Sequence, residues 1–129
     1  MSELRRILYV EDDPDIQSIA EMALVEVGGF EVCLAGSGTQ ALRLAEADHP
    51  DLIVLDVMLP DMDGPATLLG IRAIESLIDV PVVFVTAKVL ASEVASYMEL
   101  GAIGVISKPF DAMKLPSQLL ELWRSRPTP

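Results

Sequence analysis

A single cysteine, Cys33, is all the chain has, so no internal disulfide framework can form, and such sparing use suits a reducing cytoplasm. Cys33 itself is expected on a buried strand as a small apolar residue. A single histidine, His49, argues against a Ser-His-Asp triad built on a second one and leaves little basis for zinc; a surface loop is its expected place. Basic residues are few: nine Lys plus Arg stand against 20 Asp plus Glu, a net charge of -11, which argues against direct binding to a nucleic-acid backbone. Long apolar runs are missing as well. The runs present are four to six residues, far short of the ~20 of a membrane span. The first of them, Ile7-Leu8-Tyr9-Val10, is too short for a signal-peptide apolar region. No stretch reads as low complexity or as a long linker, and 129 residues fit one domain.

What is present is a rhythm. Five short apolar runs, Ile7 to Val10, Phe30 to Leu34, Leu52 to Leu55, Val82 to Val85 and Ile103 to Ile106, recur with amphipathic stretches between them. That alternation predicts repeated βα units and a parallel sheet. Asp13 and Pro14 suit the cap and first turn of helix one, whose stripe Ile16, Ile19, Ala20, Ala23 and Val27 ends at Gly28-Gly29. Helix two is expected from about Gly38 to Ala47, with Ala41, Leu42 and Ala45 inward. Helix three should follow Gly64-Pro65, and helix four should run from about Ser92 to Leu100. Because Pro116 is best tolerated in a first turn, the last helix is expected to begin near Leu115, with Trp123 as a packing residue.

Asp56 closes the run Leu52-Ile53-Val54-Leu55, and open α/β sheets place their chemistry at the carboxyl ends of such strands. It is a candidate nucleophile, with a loop-capping Asp as the alternative. The first strand ends at Glu11-Asp12-Asp13, the fourth at Thr86, and the fifth precedes Ser107-Lys108-Pro109. A parallel sheet would bring all four groups to one edge. Like charges there repel by roughly 1 kcal/mol per pair at ~4 Å in water, and more where water is excluded, so a cation should relieve them. Oxygen ligands without His or Cys favour a hard ion, and a few carboxylates with room for waters and phosphate oxygens suit Mg²⁺ better than a closed Ca²⁺ cage. Lys108 adds a fixed positive charge. A carboxylate nucleophile, a Mg²⁺ site, a hydroxyl and a lysine are the parts of in-line phosphoryl transfer, with phosphoaspartate as product.

Over essentially its full length the chain resembles the receiver domain of two-component response regulators. The likeness lies in Ile7-Leu8-Tyr9-Val10-Glu11-Asp12-Asp13-Pro14, Leu55-Asp56-Val57-Met58-Leu59-Pro60-Asp61-Met62-Asp63-Gly64, Val85-Thr86-Ala87, and Gly101-Ala102 with Lys108-Pro109-Phe110. The resemblance implies a flavodoxin-like (βα)5 three-layer sandwich with parallel sheet order 2-1-3-4-5. It implies a single, chemotaxis-regulator-like domain over 1–129, its core at about 5–125, and the absence of a linker after Arg126 favours a stand-alone domain. Asp56 would be the phosphoacceptor, with a phosphohistidine of a sensor histidine kinase or histidine phosphotransfer protein as donor. Mg²⁺ would be held directly by Asp12 and Asp56, by Glu11 through water, and by the backbone carbonyl of Met58. Asp13 is then left to cap helix one. Thr86 would hydrogen-bond one phosphoryl oxygen, Lys108 would pair with another, and Pro109 matches the family's cis proline, which would aim Lys108 into the site. The domain would not turn over external substrates. As a cytoplasmic monomer or weak dimer, it would signal to an unknown downstream protein through the face of helix four, strand five and helix five.

One position departs from the family. Three residues before the lysine, where an aromatic ring usually swings behind the moving hydroxyl, the chain has Val105. Coupling then uses another group, or the output face changes less. Met58 and Lys88 flank the expected line of water attack, with Ala87 small beside them, and a thioether orients water poorly, so a long-lived acyl phosphate is expected. Val89, Leu90 and Met98 are candidates for an apolar docking surface, though ordinary helix packing is the favoured account of them. Two enzyme-like alternatives fit less well. A haloacid-dehalogenase-type phosphatase needs a second Asp where Met58 stands, and a flavin-binding flavodoxin would meet repulsion from Glu11-Asp12-Asp13 at its phosphate loop. The rival of another class is a phosphorylation-independent docking module, favoured by Val105 and opposed by the crowded carboxylates.

Overall fold

The computed structural model describes residues 3–87 and 90–127, so the expectations for Lys88 and Val89 lie outside the described residues. Strands β1 (Arg6–Val10), β2 (Glu31–Ala35), β3 (Leu52–Asp56), β4 (Val82–Thr86) and β5 (Gly104–Ser107) form one parallel sheet in the order 2-1-3-4-5, as expected. Around it lie α1 (Pro14–Met22), α2 (Gly38–Asp48), α3 (Gly64–Arg72), α4 (Ala91–Glu99) and α5 (Leu115–Ser125). Each crossover helix covers a sheet face, so the central strands β3 and β4 are buried at every residue and read as continuous apolar runs.

Alternation along the strands divides the core in two. Ile7, Tyr9, Val54, Val85 and Ile106 pack with Ala20, Leu24, Leu119 and Trp123 of the α1 and α5 side. Leu8, Val10, Ile53, Leu55 and Phe84 pack with Ala41, Leu68 and Ile71 of the α2 and α3 side. Each fully buried Leu or Ile contributes about 1.5–3 kcal/mol. Among the described residues no helix is long and apolar enough to cross a membrane.

Asp13 caps α1 by accepting from the N–H of Asp15 at 2.8 Å and of Ile16 at 3.4 Å, with Pro14 next to it. The helix does not stay regular to Val27. Over Ala23–Val27 it widens into a π turn, in which Gly28 N–H reaches the Ala23 carbonyl at 3.1 Å. The extra residue in that turn rotates Val27 off the buried stripe, so Val27 is exposed while Leu24 is buried; Ile19, on the regular part of α1, is exposed as well. The second strand starts one residue later than its apolar run because Phe30 N–H is taken by the Leu24 carbonyl at the helix end. Cys33 is half-buried rather than buried, since β2 is an edge strand, and burial then Asp48 raise its pKa. His49 is exposed, ending α2 in the left-handed conformation with φ of 49°. Trp123 is buried, with the Arg126 guanidinium 3.6 Å from its ring centre.

Candidate functional site

Val10 and Leu55 are partners in the β1–β3 ladder, so the next residues, Glu11 and Asp56, leave neighbouring strands at the same level. Between β1 and β3 the strand order reverses, which opens a crevice at the carboxyl ends of the strands. Asp12 stands exposed at its rim, and one carboxylate oxygen each of Glu11, Asp12 and Asp56 lie within 4.8 Å of one another. Glu11 and Asp56 are 1 % and 4 % exposed, a costly place for two acids unless a cation pairs with them. Lys108 does so: its ammonium bonds Glu11 Oε1 and lies 2.6 Å from Asp56 Oδ2. Even so, burial pushes Glu11 up to about 7 against the pull of Lys108. Burial opposes the charge on Lys108, but its hydrogen bonds to Asp56 and Glu11 carry its pKa above the usual lysine value.

Each group is held from behind. Gln17 Nε2 donates to the Glu11 carbonyl at 2.5 Å, and Asp13 N–H donates to Glu11 Oε2 at 3.2 Å. Met58 N–H donates to Asp56 Oδ1 at 3.0 Å, so that carboxylate has a backbone donor on one oxygen and the lysine on the other. The Met58 side chain is 76 % exposed. Thr86 is buried at the end of β4, and Lys108 N–H bonds its carbonyl at 2.9 Å, which ties the lysine's strand end to the hydroxyl's. The Lys108–Pro109 peptide is cis, as expected. Val105 is half-buried beside Phe84 in the β4–β5 ladder.

Thus the structure brings Glu11, Asp12, Asp56 and Lys108 together and places Thr86 and Met58 at the same sheet edge. Lys108 grips the two buried carboxylates, while Asp12 stands exposed beside them. A donor set of carboxylate oxygens with no nitrogen or sulfur fits a hard divalent cation.

Two supporting residues escaped the sequence reading. Gln17 is a polar position of α1 that belongs to no motif. Asp61 stood inside a quoted motif without a role, yet its carboxylate accepts from Gly38 N–H and Thr39 N–H at 2.9 Å each and from the Thr39 hydroxyl at 2.5 Å. The Thr39 hydroxyl, followed by the two N–H groups, holds Asp61 well below the usual carboxylate range.

A family profile for the response regulator receiver domain matches residues 7–120. The chain is 36 % identical over 121 residues to the transcriptional regulatory protein PrrA of Mycobacterium tuberculosis, covering 94 % of this chain and 51 % of PrrA. It is 35 % identical over 125 residues to the probable transcriptional regulator ycf27 of Cyanophora paradoxa, covering 97 % and 51 %. The chain therefore spans about half the length of the curated relatives it matches. Among solved structures, the chemotaxis response regulator CheY4 of Vibrio cholerae superposes with a TM-score of 0.86 at 26 % identity, over 92 % of this chain and 98 % of that one. A putative response regulator from Chloroflexus aurantiacus gives 0.85 at 28 %, over 95 % and 99 %.

Proposed function

The chain belongs to the response regulator receiver domain family, and from that premise we propose that Asp56 is the phosphoacceptor of a two-component signalling protein. The observation that carries this is the convergence of three carboxylates at the switch point of the sheet, two of them bound by Lys108. The Asp56 carboxylate attacks the phosphorus of a phosphohistidine on a sensor histidine kinase or histidine phosphotransfer protein. The new P–O bond forms as the P–N bond breaks, and the imidazole leaves with the electron pair. Before transfer, Lys108 and Met58 N–H orient the acceptor; on arrival of the phosphoryl group, Lys108 exchanges a carboxylate for a phosphoryl oxygen. Asp12, Asp56, the Met58 carbonyl and, through water, Glu11 would hold Mg²⁺. A bound Mg²⁺ supplies charge neutralisation on the oxygens of the transferring group.

Thr86 donates its hydroxyl to another phosphoryl oxygen, and the resulting shift is passed to the face of α4, β5 and α5. There a downstream protein reads it. The domain, with its core at about 5–125, acts in the cytoplasm as a monomer or weak dimer, without turnover of external substrates and without touching nucleic acid itself. A second reading, a docking module indifferent to phosphorylation, draws on Val105, which leaves β5 without a ring to move.

Incubation with acetyl phosphate and Mg²⁺, followed by intact mass, separates the two. Wild type is expected to gain one phosphate and Asp56→Asn none. No gain on wild type, under conditions that label a control receiver, would sink the signalling reading. A gain that survives Asp56→Asn at the wild-type level would sink the site assignment.

A further inference from the structure

The loop between β3 and α3, residues 57–63, carries both the flank of the acceptor and the Met58 carbonyl. Its base is closed by Gly64 N–H on the Val57 carbonyl at 2.9 Å and by Val57 N–H on the Val85 carbonyl at 3.1 Å. Its far end is tied into α3, where Asp63 caps the helix through Ala66 N–H at 2.8 Å. These bonds fix where the loop begins and ends, but a loop closed only at its base can still tilt. The apex is held from a different element, α2.

Asp61 Oδ1 takes Gly38 N–H, and Oδ2 takes Thr39 N–H together with the Thr39 hydroxyl. Gly38 and Thr39 open α2, and their N–H groups have no partner within the helix. Ser37 takes only the next one, Gln40 N–H, at 3.1 Å. A negative group there also sits favourably at the positive end of the helix dipole. Behind Asp61 the chain lies directly on α2, for a β-carbon on Gly38 would collide with the Met62 side chain and the Thr67 hydroxyl. The helix makes a firm mount, since Ala41 and Ala45 are fully buried in the core.

We propose that Asp61 is a positioning residue of the phosphoryl site: by pinning the loop apex to the start of α2, it fixes the Met58 carbonyl and thereby sets how tightly a divalent cation is held and how fast Asp56 is phosphorylated. The inference rests on the reading of Asp56 as phosphoacceptor. Nothing else in the loop offers a charged group to α2. Thr39 is the matching half of the clasp, since its hydroxyl and N–H both bind the same oxygen.

The test uses the full chain as wild type, Asp61→Ala, Thr39→Val and Thr39→Ser. Mg²⁺ affinity is measured by calorimetry on the unphosphorylated protein, amide hydrogen exchange is followed at Gly38, Thr39 and Gly64, and phosphate gain from acetyl phosphate is timed by intact mass. Asp61→Ala is expected to weaken Mg²⁺ binding about tenfold, as loss of an outer partner of a metal site does. Thr39→Val, which loses one of three bonds, is expected to weaken it about threefold, and Thr39→Ser to match wild type. Labelling should slow at subsaturating Mg²⁺ and recover at saturation. A purely structural cap would lower the melting temperature while leaving Mg²⁺ affinity and labelling rate at wild-type values, and that result overturns the inference. Should Asp61→Ala fail to fold, the Thr39 pair decides on the same criteria. Absence of phosphate gain in wild type overturns the acceptor reading and this inference with it; normal gain with equal Mg²⁺ dependence in all four proteins overturns this inference alone.

Discussion

The ring of Tyr97, on α4, leans on the ring of Phe84, on β4, with centroids 4.9 Å apart and planes inclined by 48°. This pair matters because α4 buries no residue completely, so its seat on the sheet depends on half-buried groups such as Tyr97. Phe84 lies two residues before Thr86, on the same face of β4, and faces Val105 across the ladder. On its other side it abuts Gly64, where a β-carbon would stand 3.0 Å from Phe84 Cε1 and 2.7 Å from the Asp56 carbonyl oxygen. The absence of a ring on β5 therefore does not leave this face without an aromatic.

Tyr97→Ala is expected to cost about 1–2 kcal/mol, the ring pair plus part of its buried area. The loss should be local. Hydrogen exchange across residues 91–99 should quicken well beyond that of α2 or α3 if Tyr97 is the principal seat of α4. Uniform quickening over all helices would show that α4 is held by other means.

Lys108 is the only cation that touches Glu11 and Asp56 among the described residues. Lys108→Met leaves two buried acids facing each other. In chelator-treated buffer it should lose about 2–3 kcal/mol, short of the full cost of an orphaned buried pair because 19 % of the lysine side chain remains in water. Added Mg²⁺ should restore part of the loss, since an ion that binds only the folded form adds about 1.4 kcal/mol per tenfold excess over its Kd. Superimposable urea melts of mutant and wild type without metal would count against the lysine as their counter-charge.

Much of this was legible in the chain because strand ends are local signals. A four-residue apolar run followed by Glu11-Asp12 or by Asp56 marks both the strand and its chemical edge, and once the sheet is parallel those edges coincide. The π turn at Ala23–Val27 was not legible, since the apolar residues of the sequence continue through Ala23 to Val27 with nothing to mark the added residue. Phe30 reads as strand by composition, and its N–H, donated to the Leu24 carbonyl, removes it. The Asp61 clasp joins residues 22 apart across a helix start, a pairing that no periodicity encodes. Lys108 was expected opposite a phosphoryl group; without one, the nearest negative charges are the acids that would surround it.

Tyr9 offers a check on the core beneath the site. Its hydroxyl is buried with no hydrogen-bond partner among the described residues, and burial, then Glu11 and Asp56, drive its pKa far above the usual phenol value. Because an unpartnered buried hydroxyl is worse than none, Tyr9→Phe should be about 1 kcal/mol more stable than wild type in urea unfolding. A loss of similar size would mean that the hydroxyl is bonded in solution.

If Asp56 is the phosphoacceptor as proposed, Met58 is expected to govern how long the phosphorylated state lasts. Its N–H binds the Asp56 carboxylate, so its position relative to Asp56 is fixed, while its side chain is 76 % exposed at the mouth of the crevice. A water that attacks the phosphorus of the acyl phosphate must approach in line, past whatever side chain stands there. A thioether accepts hydrogen bonds weakly and cannot donate, so it screens the approach without orienting the water. Met58→Asn keeps the backbone bond and adds a donor and an acceptor at the same place. The decay of the phosphorylated protein in Mg²⁺, followed by intact mass, should quicken by about three- to tenfold, the worth of one hydrogen bond to the attacking water. Met58→Leu, equally unable to orient water, should decay at the wild-type rate. Equal or slower decay in Met58→Asn would remove this side chain from control of the lifetime and leave accessibility of the phosphorus, rather than the chemistry of its neighbour, as the governing factor.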